Sequence, residues 1–153
     1  MPPADIHVRR LGPGDTEASA RLNDLYADAF ADDATYRSRR PSEAYLRDVL
    51  ADPGVFALTA ENDEGVVLGG LTAYELRKLE QERSEIYLYD LAVAEAHRRR
   101  GIATALIREL QRLAALRGAW VVFVQADYGD DAAIALYEKL GTREEVLHFD
   151  LDR

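Results

Sequence analysis

Apolar positions change their period several times along the chain, and each change marks an element. Ile6 to Arg10 reads as a short strand, and Gly12-Pro13-Gly14-Asp15 then turns the chain, with Asp15 placed to cap a helix running to about Phe30. In that helix Leu22, Leu25, Tyr26 and Ala29 recur at three- and four-residue spacing, which gives one apolar face. Ser42-Glu43-Ala44-Tyr45 opens a second helix through Leu46, Val49 and Leu50, and Asp52-Pro53-Gly54 ends it. Val55 to Glu61 and Val66 to Leu76 read as strands joined at Asn62-Asp63-Glu64-Gly65, and they should pair antiparallel. RKLEQERS, residues 77–84, has no apolar period and reads as a solvated loop. The segment EIYLYDLAV, Glu85 to Val93, then returns to strand composition as the candidate central strand. From Gly101 the period is helical, with Ile102, Leu106, Leu110 and Leu113 on one face and a stop at Gly118. Trp120 to Gln125 is a continuous β-rich apolar run of the kind buried on both faces. A last helix from about Asp131 to Leu140 stops at Gly141, and Glu145 to Leu151 closes as a strand.

This order, β-α-α-β-β-β-α-β-α-β, predicts an α/β domain in which helices cover a mixed sheet, and 153 residues make one such domain, spanning 1–153. A hydrophobic share of 48% against 31% charged suffices for a core and excludes a disordered chain. No apolar run approaches the roughly 20 residues that span a bilayer, and the start MPPADIHVRR lacks the order of a signal peptide, so the expectation is a cytoplasmic protein without membrane contact. With no cysteine there is no disulfide framework, thiolate metal site or cysteine nucleophile; His7, His97 and His148 are the only imidazoles, and no metal is expected. A net charge of −9, from 28 acidic and 19 basic residues, argues against nucleic acid and favours cationic partners.

One stretch departs from this acidity. His97, Arg98, Arg99 and Arg100 form the densest basic run and stand directly before Gly101, where a helix begins. A helix N-terminus offers unpaired amides and a positive dipole end, and glycine allows close approach to the backbone, so the junction suits a pyrophosphate. The same residues also read as a turn glycine beside a solvated charge run. Neither a Walker A sequence nor G-x-G-x-x-G is present.

The segment LAVAEAHRRRGIATALI resembles the acyl-CoA motif of the GNAT acetyltransferases, Q/R-x-x-G-x-G/A, with Arg98, Gly101 and Ala103 in the matching places. The order of elements is similar to that fold over nearly the whole chain. The resemblance implies a mixed, mostly antiparallel central sheet of about six or seven strands with helices on both faces and central strands splayed around acetyl-CoA. By the same likeness the backbone of Leu91, Ala92 and Val93 would hold the pantetheine arm, and the run Arg98, Arg99, Arg100, Gly101, Ile102, Ala103 and Thr104 the pyrophosphate. A second segment, ADYGDDAAIALYEKLG, resembles N-x-x-A-x-x-L-Y-x-K-x-G of the same family. It implies that Tyr137 contacts coenzyme A and protonates the leaving thiolate. Asp130 stands where that pattern has asparagine.

SEIYLYDLAV, VQADYGDDAAIALY and TREEVLHFDLD, with Asp33-Ala34-Thr35-Tyr36, further resemble the type I aminoglycoside 3-N-acetyltransferases. That likeness implies acetyl transfer to a polycationic antibiotic, with Asp33, Tyr36, Glu85, Asp90, Asp127, Asp130 and Asp131 as candidate substrate contacts. Asp130 also reads as a helix cap. An acceptor ammonium must lose a proton before it attacks, and Asp90, one residue before Leu91, is the candidate base. Glu85 lies five residues upstream, roughly 17 Å along an extended strand, and is the alternative through a water, since a bulge would change which face each residue occupies. Two other readings stay open: acetylation of another cationic amine, such as a polyamine or a protein N-terminus, and an acyl-CoA-binding regulatory module. A homodimer is left open too.

Overall fold

The computed structural model describes residues 2–153. Five strands, β1 (Ile6–Arg10), β2 (Val55–Asn62), β3 (Val67–Arg77), β4 (Ser84–Val93) and β5 (Ala119–Val124), form one sheet in the order β1-β2-β3-β4-β5. The first four are antiparallel neighbours, and β5 joins β4 in parallel after the crossover through α4 (Ile102–Leu116). α1 (Thr16–Phe30), α2 (Asp33–Tyr36) and α3 (Glu43–Ala51) precede β2, and α5 (Asp131–Leu140) follows β5. The mixed, mostly antiparallel sheet with helices on both faces is as expected, with five strands in place of six or seven.

The two faces are filled by different clusters. Phe56, Leu58, Leu71, Ile86 and Leu88 meet Ile102, Leu106 and Leu110 of α4 on one side, where Leu136, Tyr137 and Leu140 of α5 also pack. On the other side Leu22 and Tyr26 of α1 lie on Ala92, and Leu11, Ala18, Leu50 and Ala57 close the corner beneath α3. α1 can sit this close because of Gly70. A Cβ there would collide with Leu22 and stand 2.6 Å from the Leu58 carbonyl oxygen.

Three local expectations need correction, and one short helix is new. Asp15 is the residue before α1 but gives it no side-chain cap; its carboxylate accepts from the Gly12 amide at 2.7 Å and from Arg9 at 2.9 Å. After Phe30 the structure adds an element that the sequence reading did not include, the one-turn helix α2, capped by Asp32 through the Thr35 amide. β5 is not buried on both faces: it is the outer strand, and Trp120 and Val121 remain 62% and 41% exposed. Residues 145–151 form no strand, since none of the described residues pairs with them. Among the described residues no helix is long and apolar enough to cross a membrane.

Candidate active site

The site is made by an irregularity in β4. Along the β3 ladder Ala73 faces Leu88 and Thr72 faces Asp90, so Tyr89 is an extra residue, a bulge. Its effect on side-chain direction is large. Ile86 and Leu88 point into the α4 core, and beyond the bulge Leu91 and Val93 pack against that same core, so the parity of the strand has switched. Asp90 and Ala92 therefore face α1, on the side to which the strand alternation also assigns Glu85 and Tyr87. Without the bulge, two residues five apart would lie on opposite faces.

Tyr36 holds Asp90 in place, its hydroxyl donating to Asp90 Oδ1 at 2.8 Å. Tyr36 is itself braced by Tyr26 and Phe30, with ring centroids 5.6 and 5.8 Å away, and the Tyr26 hydroxyl shares a 2.9 Å hydrogen bond with Thr72 Oγ1. Burial raises Asp90 above the ordinary carboxylate range, and the Tyr36 hydrogen bond partly offsets this by favouring the anion. Burial also raises Tyr36, as does its bond to Asp90, so this phenol keeps its proton.

β4 and β5 pair only from Ser84 opposite Ala119 to Leu88 opposite Val124. Past that point they separate, and a cleft of about 350 Å³ opens between them, lined by Phe30, Tyr89, Asp90 and Leu91 on one side and Val124 to Asp127, Asp130, Ala133 and Tyr137 on the other. The cleft joins both faces of the sheet: Asp90 belongs to the α1 side, whereas Tyr137 packs with the α4 core. Burial, and to a smaller extent the charge of Asp130, pushes Tyr137 up to about 12. It is a protonated donor at neutral pH.

The remaining candidates fall into two groups. Asp127 and Asp130 line the cleft, and Asp130 also caps α5 by accepting from the Ala133 amide at 3.3 Å, so capping and a place in the cleft coexist. Asp131 is exposed in the first turn of α5 and is not part of the lining. Asp33 is engaged elsewhere, accepting from Arg37 at 2.6 Å in a cluster with Asp24 and Asp28. Glu85 lies 3.6 Å from Lys78 and outside the cleft. The sequence did not single out Phe30, Tyr87, Tyr89 or Gln125, although Tyr87 stacks on Phe123 at 4.6 Å and donates to Gln125 at 2.8 Å. A signal was there in IYLYD, where tyrosines alternate along a strand otherwise suited to a core.

Below the cleft, Arg98 Nε donates to the Val93 carbonyl at 3.2 Å and ties the basic loop to the end of β4. Arg99 and Gly101 have left-handed φ angles of 62° and 78°, and Gly101 gives α4 no side-chain cap. The amides of Ile102, Ala103 and Thr104 at the helix start thus have no intrahelical acceptor. A backbone of this kind, turning several N–H groups to one side, is an anion cradle. The cradle and the splayed strand beside it fit a long molecule with a phosphate at one end and a reactive group at the other.

A family model described as the acetyltransferase (GNAT) family matches residues 20–142. The chain belongs to the GNAT acetyltransferase family. Proteins of this family take acetyl-CoA as the acetyl donor, and the cleft and cradle fit it. Among solved structures, an aminoglycoside acetyltransferase from an uncultured soil metagenomic sample is 54% identical, with a TM-score of 0.94 over 97% of this chain and 98% of its own. A second such enzyme, also from a soil metagenomic sample and solved in complex with sisomicin, is 28% identical with a TM-score of 0.89, covering 97% of each chain. Among curated proteins, N-acetyltransferase 8B of Rattus norvegicus is 31% identical over 100 residues, which span 65% of this chain and 45% of the rat protein.

Proposed function

We propose that this GNAT protein transfers the acetyl group of acetyl-CoA to the 3-amino group of the 2-deoxystreptamine ring of an aminoglycoside, and thereby confers resistance. The observation that carries the reading is the pairing of Asp90, held by Tyr36 on one side of the cleft, with protonated Tyr137 on the other. The 54% identity to an aminoglycoside acetyltransferase over almost the full length supports the substrate class.

The thioester of acetyl-CoA supplies the acetyl group. Leu91, Ala92 and Val93 stay paired with β3 but have lost β5 as a neighbour, and this splayed part of β4 would hold the pantetheine arm, while Arg98 to Thr104 would hold the pyrophosphate. Asp90 takes the proton from the acceptor ammonium. Its burial makes it a stronger base than an exposed carboxylate, and Tyr36 fixes its direction. Tyr137 donates a proton at the opposite wall, where negative charge leaves with the thiolate. The N–H of Val93 or a neighbour polarises the carbonyl. The deprotonated amine attacks the thioester directly, and the chain has no cysteine thiol to carry the acyl group. Asp127 and Asp130 attract the remaining ammonium groups of a polycation.

Mass spectrometry of gentamicin after incubation with the protein and acetyl-CoA tests this, with the position of modification read by NMR. A single added acetyl at the 3-amino group is the expected product. Acetylation at another nitrogen would keep the reaction and overturn the position, and turnover of polyamines or peptide N-termini in place of gentamicin would overturn the substrate.

A further inference from the structure

Aromatic side chains gather on the face of the sheet that carries Asp90. Tyr74 of β3 stands opposite Tyr87 of β4, and Tyr87 opposite Phe123 of β5, so three neighbouring strands bring three rings level with one another. Tyr87 and Phe123 are stacked. The bulge residue Tyr89 joins this row, its ring centroid 5.3 Å from Tyr87 and 5.9 Å from Tyr74, the latter contact edge to face. None of the four belongs to a core cluster, because α1 packs at the Gly70 and Ala92 end of this face and α3 lies beside Ala57. Tyr74 and Tyr89 remain 39% and 62% exposed. Cross-strand aromatic pairs stabilise a sheet, but a row open to solvent beside a candidate base can also hold a ligand. Tyr89 lines the cleft next to Asp90, so wall and cleft are one surface. Burial, and after it the charge of Asp90, raises Tyr74 above the ordinary phenol range, which keeps this hydroxyl protonated near the carboxylate. Glu85, two residues from Tyr87 on the same face, stands at the far end of the wall, 3.6 Å from Lys78.

We propose that this wall is a subsite for one ring of the acceptor, the aminosugar joined to 2-deoxystreptamine at C4, with Tyr89 as its main contact. The proposal rests on the transfer to an aminoglycoside argued above and adds which part of the molecule is read by shape. C4 is the carbon next to the one that bears the 3-amino group. With that amine at Asp90, the ring on C4 is the substituent that must pass Tyr89, the residue directly before Asp90. An aminosugar ring turns several C–H bonds to one side and carries ammonium groups, and both are drawn to the negative face of an aromatic ring. Charge agrees, since Asp90 stands at one end of the wall and Glu85 at the other. Carboxylates attract a polycation in almost any orientation, whereas a flat aromatic wall selects a ring face. A linear polyamine has no such face to offer.

Three acceptors separate the rings. Gentamicin carries sugars at both C4 and C6, neamine only the one at C4, and garamine only the one at C6. KM is measured for each, or an inhibition constant against gentamicin where turnover is too slow to follow. Tyr89→Ala should raise the constant for gentamicin and neamine about fivefold or more, with kcat for gentamicin and the constant for garamine both within about twofold of wild type. Tyr89→Phe keeps the ring and should stay within about twofold for all three. Tyr74→Ala, on a different strand from Asp90, should give a smaller rise with the same preference for gentamicin and neamine, which separates a lost contact from damage to the bulge. A Tyr89→Ala protein with wild-type constants, a loss as large for garamine as for neamine, or a Tyr89→Phe protein as impaired as Tyr89→Ala would each overturn the subsite while leaving the reaction intact. A wild-type protein that acetylates no aminoglycoside would overturn the functional reading and the subsite together.

Discussion

The two ends of the cleft are built by different means. At the proposed cofactor end the contacts would come from backbone: the splayed strand Leu91 to Val93, then the amides after Gly101, all within one continuous stretch of chain. At the proposed acceptor end they would be side chains from separate elements, with Tyr36 of α2, Asp90 of β4, Asp130 just before α5 and Tyr137 within it. A backbone cradle tolerates many side chains as long as its conformation holds. The acceptor end depends on each group separately, and substitutions should therefore act differently at the two ends.

The largest difference is expected for Asp90→Asn. It should lower kcat by about 10² or more while leaving acetyl-CoA affinity nearly unchanged, as measured by steady-state kinetics beside direct titration. At the other end, Gly101→Val places a β-branched residue at a φ of 78° and should weaken acetyl-CoA binding at least tenfold, or about 1.4 kcal/mol. The rise in Tm that acetyl-CoA gives the wild type should shrink accordingly. Equal loss of cofactor affinity in both variants would erase the distinction between the two ends.

Charge at the acceptor end should matter less, and mainly for binding. Asp127→Asn combined with Asp130→Asn should raise KM for gentamicin roughly threefold to tenfold with little change in kcat, and should flatten the dependence of KM on salt. Asparagine still caps a helix, so α5 keeps its start. Asp33→Asn and Asp131→Asn should each leave KM within about twofold, since Asp33 sits in an exposed ion pair with Arg37 and Asp131 lies outside the cleft.

How much of this could be read from the sequence follows the same division. The cradle was legible because its parts are adjacent: a basic run, a glycine and a helical period within a dozen residues. Asp90 was legible as a candidate, but its direction was not. Direction depends on the bulge at Tyr89, and that appears only when β4 is set against Thr72 and Ala73 of β3. The bond from Tyr36 joins residues 54 apart, and no local pattern encodes it. For residues 145–151 the sequence indicates a strand, and the described residues show none there. A periodicity reports what a segment can pair with and does not by itself supply a strand to pair with.

The central claim is that Asp90 acts as a base whose proton affinity is set by burial and by Tyr36. The pH dependence of kcat/KM in wild type and in Tyr36→Phe tests it most directly. Asp90 must be ionised to accept a proton, so activity should fall as pH drops through its raised pKa, giving an acid limb above the ordinary carboxylate range. Tyr36→Phe removes the hydrogen bond that favours the anion, which raises the Asp90 pKa further, and the acid limb should move to higher pH. An acid limb that stays in place, or moves to lower pH, when Tyr36 loses its hydroxyl would contradict the account.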